Sequence, residues 1–166
     1  SHGFLMGNHS GDKDGIWASM AFAEMAAALK QNKLTPIDRL NQIYQQYGIH
    51  LDALGTQTFK GTKGMAKIQQ IMRDLRNSPP ESVAGQAVVK ITDYLENTII
   101  CGNETKQGPG LPQSNVIALE LADNSRITAR PSGTEPKIKY YFNLQGKDSA
   151  MLNERLASIQ ADFIKE

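Results

Sequence analysis

The chain has 166 residues and a mass of 18.2 kDa, enough for one hydrophobic core, or for one domain and part of another. Its 18 lysines and arginines balance 17 aspartates and glutamates to a net charge of +1, which argues against nucleic acid or an anionic membrane as the main partner. No apolar run approaches the roughly 18–20 residues that a membrane span needs, and no signal-peptide pattern opens the chain. A single cysteine excludes an internal disulfide, so we expect a globular cytoplasmic protein.

The first part of the chain is predicted to hold a glycine-rich loop and two helices. Strong helix formers follow the loop from Ile16 to Leu29. This helix is apolar nearly all round, so it should be buried on several sides. Thr35, followed by a proline, is typical of an N-cap and predicts a second helix through Tyr47, which Gly48 ends.

No strand is predicted before Gly48. Two helices without a strand have no sheet of their own to cover, although one of them is apolar on every side. We therefore expect residues 1–48 to be the C-terminal remnant of an α/β domain whose strands lie upstream of this chain.

Residues 49–166 predict a complete α+β domain. The segment from Lys137 to Gln145 alternates apolar and polar side chains, as a strand with one buried face does. Apolar residues at helical spacing predict one helix that Thr62 opens and another at the C-terminal end. We expect a mainly antiparallel sheet packed by helices on one face. The predicted strands are residues 53–59, 87–94, 115–121, 126–130 and 137–145, and residues 102–114 are predicted to be a loop.

The strongest chemical signal lies between the last two predicted strands. Arg130 ends one strand, Ser132 and Thr134 supply hydroxyl groups in the loop, and Lys137 and Lys139 project from the next strand to one face. A guanidinium, hydroxyls, backbone amides and ammonium groups are the means by which proteins bind phosphate. The sequence therefore indicates a phosphate site.

A plain hairpin turn is the alternative for this loop, since its polar residues could simply face water. Glu135 does not suit an anion site, and we expect its carboxylate to pair with a neighbouring lysine or to face outward.

A second signal is the stretch Gly-Asp-Lys-Asp-Gly at residues 11–15, directly before the first helix. It lacks the further oxygen ligands of a calcium loop. Either one aspartate caps the helix beside a glycine turn, or Lys13, between two carboxylates, serves as an acid/base or substrate-binding group.

Two motifs carry a family resemblance. Arg-Pro-Ser-Gly-Thr-Glu-Pro-Lys-Ile-Lys at residues 130–139 resembles the C-terminal phosphate-binding loop of the α-D-phosphohexomutase superfamily. Residues 1–7, Ser-His-Gly-Phe-Leu-Met-Gly, and residues 11–15 resemble the sugar-binding loop and following helix start of that family's third domain. The sequence of residues 132–141 is most similar to that of the phosphoglucomutase/phosphopentomutase branch, with phosphomannomutases and phosphoglucosamine mutases as near alternatives.

The resemblance implies a mutase that moves a phosphoryl group between C1 and the terminal hydroxymethyl carbon of a sugar phosphate. A phosphoserine donates its group, a sugar bisphosphate reorients, and Mg²⁺ assists. By position, the resemblance implies that five residues bind the phosphate that is not being transferred: Arg130, Ser132, Gly133, Thr134 and Lys139.

The resemblance also implies roles for residues near the start of the chain. Ser1 and His2 would bind sugar hydroxyls, and Lys13 would act catalytically, in proton transfer or phosphate binding. The expected partners are a phosphosugar substrate and the rest of the mutase chain, with a sugar bisphosphate as activator.

The family's phosphoserine loop and magnesium loop are missing from this sequence. We therefore expect residues 1–48 to be the end of the third domain, residues 49–166 to be the fourth domain, Mg²⁺ to bind upstream, and this chain to be inactive alone. The alternatives are a phosphomannomutase or phosphopentomutase specificity, a stand-alone phosphosugar-binding module without catalysis, and a piece that self-associates through the helix from Ile16 to Leu29.

Overall fold

The computed structural model describes residues 3–8, 11–61 and 63–164. The chain divides into two compact units, Ser1–Gly48 and Ile49–Glu166. Among the described residues, no helix is long and apolar enough to cross a membrane.

The described part of the first unit contains two capped helices. α1 comprises Gly15–Gln31, and the Asp14 side chain accepts hydrogen bonds from the backbone amides of Ile16 and Trp17. α2 comprises Pro36–Tyr47, and Thr35 forms a capping box with Asp38. The predicted cap and end of α2 are therefore confirmed.

The expected burial of α1 does not occur in this chain. All residues of α1 are described and none is buried; Ile16 is 74% exposed and Phe22 is 57% exposed. The physical reason is that the described part of this unit has one other helix and no named strand to cover the apolar surface.

The second unit, over its described residues, is one antiparallel sheet with two helices, and it confirms the predicted fold class. Its strands occur in the order β1-β8-β7-β6-β3-β4-β5, with β2 paired to β3. The bounds are β1 Ile49–Thr58, β2 Ser82–Val83, β3 Gln86–Asp93, β4 Thr98–Cys101, β5 Glu104–Gln107, β6 Ile117–Leu121, β7 Arg126–Pro131, β8 Lys137–Gly146, α3 Gly64–Asn77 and α4 Ser149–Phe163.

The hydrophobic core lies on one face of this sheet, which we name the core face. The alternate residues of β8 are buried there, as predicted. α3 and α4 contribute apolar side chains to the same cluster, so both helices cover the core face. The residues of β8 on the opposite face, which we name the polar face, are Lys137, Lys139, Tyr141, Asn143 and Gln145.

Three predictions about this unit need correction. β1 begins at Ile49, earlier than predicted. β4 and β5 form a hairpin where a loop was expected after residue 101, because β5 is exposed at every position and shows no apolar alternation; its pairing with β4 alone defines it. α3 begins at Gly64, whereas Thr62 lies outside the described residues.

Tyr140 makes the stability of this unit sensitive to alkaline pH. Its hydroxyl donates to Gln57 Oε1 at 2.8 Å, and burial raises its pKa to about 12. A tyrosine in the unfolded chain ionises near pH 10, so the stabilisation is complete below about pH 10 and is lost as pH rises towards 12.

Tyr140→Phe should therefore flatten the fall in unfolding free energy between about pH 10 and 12. Urea denaturation followed by circular dichroism at several pH values measures this. An equally steep fall in the variant would contradict the assignment to Tyr140.

Candidate functional site

The end of the β7–β8 hairpin gathers the residues that the sequence singles out. Arg130 pairs directly with Lys139, and Pro131 pairs with Ile138. The Ser132 backbone amide donates to the Lys137 carbonyl at 2.9 Å and closes the loop between the strands. The 130–139 segment thus forms one continuous local structure, in which Arg130, Ser132, Gly133, Thr134 and Lys139 all lie.

Arg130 and Lys139 place two positive charges side by side on the polar face. Directly paired residues of adjacent strands have Cβ atoms about 4.5–5.5 Å apart. Within the described residues neither side chain makes a hydrogen bond or an ion pair. Like charges at this spacing repel each other, so an anion bound between them would relieve the repulsion.

The loop adds hydrogen-bonding groups next to these cations. Ser132 Oγ accepts weakly from the backbone amides of Thr134, at 3.4 Å, and Glu135, at 3.3 Å. The hydroxyl proton of Ser132 stays available for donation. A Cβ at Gly133 would meet no atom within 4 Å, so a ligand can approach this backbone closely. These groups suit the oxygens of a phosphate.

Lys137 is engaged differently from the other two cations. Its ammonium lies 2.5 Å from Glu135 Oε2, which confirms the expectation that Glu135 pairs with a neighbouring lysine. The Lys137 amide also donates to the Glu135 carbonyl at 2.7 Å. Lys137 is therefore neutralised locally, whereas no described residue forms an ion pair with Arg130 or Lys139.

Strand β1 brings two threonines to this site that the sequence analysis missed. Thr56 pairs with Lys139, and Thr58 pairs with Lys137. Because β1 and β8 are far apart in sequence, only their pairing in the sheet reveals this proximity. The spacing of two residues between Thr56 and Thr58, inside a predicted strand, is the sequence signal that could have placed both threonines on a single face. The backbone amide of Phe59 also donates to the Pro136 carbonyl at 2.9 Å, which ties the loop to the end of β1.

Lys13 lies in the first unit and is half exposed. Its backbone amide donates to Asp12 Oδ1 at 2.7 Å, and its ammonium lies 3.3 Å from the same oxygen. Asp14 caps α1, which agrees with the helix-capping interpretation of this stretch. The predicted sugar-binding residues Ser1 and His2 lie outside the described residues.

No metal centre is formed by the described part of the chain. It contains no group of three or more histidine, cysteine, aspartate and glutamate side chains that could hold a metal ion. The Mg²⁺ that the family resemblance implies does not fit these residues.

Comparison with known proteins identifies relatives of this chain, although no family model matches it. A phosphoglucomutase of Staphylococcus aureus strain MRSA252 is 40% identical over 149 residues, which cover 89% of this chain and 27% of that protein. The phosphoglucomutase of strain MSSA476 is 40% identical over 146 residues, covering 87% of this chain and 26% of its own length. The chain thus spans about a quarter of the length of these relatives.

One solved structure is similar in fold. It is the open form of the Paramecium exocytosis-sensitive phosphoprotein pp63/parafusin, a phosphoglucomutase, with a TM-score of 0.57 and 21% sequence identity. The similarity covers 92% of this chain and 26% of that chain. The resemblance noted in the sequence is therefore confirmed: the chain is homologous to phosphoglucomutases over most of its own length and corresponds to about a quarter of theirs.

Proposed function

We propose that this chain is the C-terminal part of a phosphosugar mutase of the glucose 1-phosphate/glucose 6-phosphate class, and that the 130–139 segment binds the substrate phosphate that is not being transferred. The observation that carries the proposal is the placement of Arg130 beside Lys139 on the polar face, where neither side chain forms an ion pair with any residue that the structure describes. Homology to phosphoglucomutases supports the reaction class.

The residues of the 130–139 segment would contribute different groups to phosphate binding. Arg130 offers two parallel N–H donors to two phosphate oxygens, and Lys139 adds a point charge beside it. Ser132, Gly133 and Thr134 supply hydroxyl and backbone donors. Phosphoryl transfer depends on positioning and on charge stabilisation. A fixed phosphate site in the 130–139 segment therefore suits a reaction in which either end of a sugar bisphosphate must be bound.

The remaining parts of the reaction are proposed to lie elsewhere in a longer mutase chain. The phosphoserine and the Mg²⁺ ligands would come from that chain, and a sugar bisphosphate would serve as activator. Lys13 would act in proton transfer or phosphate binding, with Ser1 and His2 contacting sugar hydroxyls. By itself this chain is expected to be inactive as a mutase.

The exposed α1 supports a second proposal about partners. Its apolar side chains, including Ile16, Met20 and Phe22, would contact the rest of the mutase chain, or a second copy of this one when that is absent.

Titration of the chain with inorganic phosphate and with glucose 1-phosphate, monitored by NMR shifts of the backbone amides, tests whether the 130–139 segment binds phosphate. We expect shifts concentrated at residues 130–139 at millimolar ligand, since a site without its companion domains binds weakly. An absence of shifts in this segment at tens of millimolar (roughly the limit for a bare clamp) would reduce it to a polar turn.

A further inference from the structure

We propose that Glu135 sets the charge selectivity of the phosphate site, by holding Lys137 in an ion pair that keeps this third cation from the ligand. The inference rests on the proposed function of the 130–139 segment. Glu135 would act as a positioning residue that limits how strongly, and to which anions, the site binds.

The placement of Lys137 makes it a cation within reach of the site. Lys137 and Lys139 are alternate residues of β8 and project from the same face. Lys137 is also bonded through its carbonyl to the backbone amide of Ser132, one of the proposed phosphate ligands. Its ammonium nevertheless contacts Glu135 at 2.5 Å. Release from this ion pair would place a third ammonium group beside the bound phosphate.

The ion pair between Glu135 and Lys137 lowers the net positive charge of the proposed phosphate site. Arg130, Lys137 and Lys139 carry three positive charges, and the Glu135 carboxylate reduces the total to about +2. This matches one phosphate monoester, whose charge near neutral pH is about −1.5 to −2. Without the carboxylate the site would carry about +3 and would favour more highly charged anions, because Coulomb attraction scales with ligand charge.

Glu135→Gln therefore has a specific expected result. It should tighten binding of inorganic phosphate about three- to tenfold, a modest effect because the glutamate side chain is 57% exposed and screened by solvent. Binding of inorganic pyrophosphate should tighten more, so the affinity ratio of pyrophosphate to phosphate should rise. A purely structural role for the ion pair would not change this ratio in favour of the higher charge.

Two further variants separate the possible causes. Glu135→Gln combined with Lys137→Met restores the wild-type charge of the site, so its phosphate affinity should return close to the wild-type value. Glu104→Gln is the matched control, since Glu104 forms a similar exposed ion pair with Lys106 at 2.8 Å on β5, at the other end of the sheet. It changes the net charge equally and should leave both affinities unchanged.

NMR titration of the chain with inorganic phosphate and pyrophosphate measures all these affinities, and unchanged amide shifts in β3 and β6, which contain none of the substituted residues, show that each variant is folded. If the wild type binds phosphate at residues 130–139 but Glu135→Gln leaves both affinities unchanged, the inference is overturned and the proposed function stands. If the gain persists in the double variant, Lys137 is not the recruited group and the inference fails. If wild-type shifts never occur in this segment, the proposed function fails, and the inference with it.

Discussion

Replacing Arg130 with alanine is expected to weaken phosphate binding by about 10- to 100-fold. A charge-assisted hydrogen bond contributes about 1.5–3 kcal/mol, and a paired guanidinium donates two such bonds to one phosphate. Lys139 alone supplies a point charge without this fixed geometry. Because the wild-type affinity is expected to be millimolar, binding by Arg130→Ala should lie at or beyond the limit of an NMR titration.

The same substitution should leave the fold intact. Arg130 and Lys139 are like charges on directly paired residues, so removing one of them relieves repulsion. The unfolding free energy should be unchanged or higher by a few tenths of a kcal/mol. Loss of binding together with unchanged or improved stability is the pattern expected of a functional residue.

Arg73→Ala is the matched control for this experiment. Arg73 is an exposed arginine on α3, the helix that covers the core face, and its guanidinium donates to Gln70 Oε1. The variant removes the same charge from the same unit and should bind phosphate like the wild type. Equal weakening in both variants would mean that only net charge matters, and the 130–139 segment would lose its assigned role.

Replacing Asp93 with alanine is expected to cost the second unit about 3–5 kcal/mol of unfolding free energy. Asp93 Oδ2 accepts from Arg76 Nε at 2.7 Å, and the two side chains are only 9% and 16% exposed. Asp93 Oδ1 accepts from the backbone amides of Leu95 and Glu96, and Arg76 also donates to Asn115 Oδ1. Removing the carboxylate leaves a largely buried guanidinium without its counter-charge and two backbone amides without their acceptor.

Hydrogen exchange of the amides in β6, β7 and β8 measures this loss, because it reports on the unit that contains Asp93. Tryptophan fluorescence would not, since Trp17 belongs to the first unit. Asp52→Ala is the control: Asp52 is exposed on the polar face and accepts one hydrogen bond from Asn143, so its loss should cost at most about 1 kcal/mol. Equal protection in the Asp93 and Asp52 variants would contradict a stabilising role for the buried ion pair.

Local sequence patterns predicted those helices and strands whose position depends on residues close together in the chain. The alternation along β8 predicts its buried face, and Thr35 predicts the start of α2. The hairpin between β6 and β7 follows from the turn at residues 123–125. In contrast, β5 could not be predicted, because its charged, exposed residues carry no periodicity and its pairing with β4 alone makes it a strand.

For the candidate site, the sequence by itself determined which chemical groups are available: a guanidinium, hydroxyls, a glycine and lysines in one short segment. Only the tertiary structure decided how these groups are arranged. Strand register sets Arg130 beside Lys139, with no counter-charge among the described residues, and β1 pairing adds Thr56 to the same row. The ion pair with Glu135 withdraws Lys137 from that group. The reason is that electrostatic energy depends on the distances between charges. The sequence specifies which charges are present, but the pairing of strands sets the distances between them.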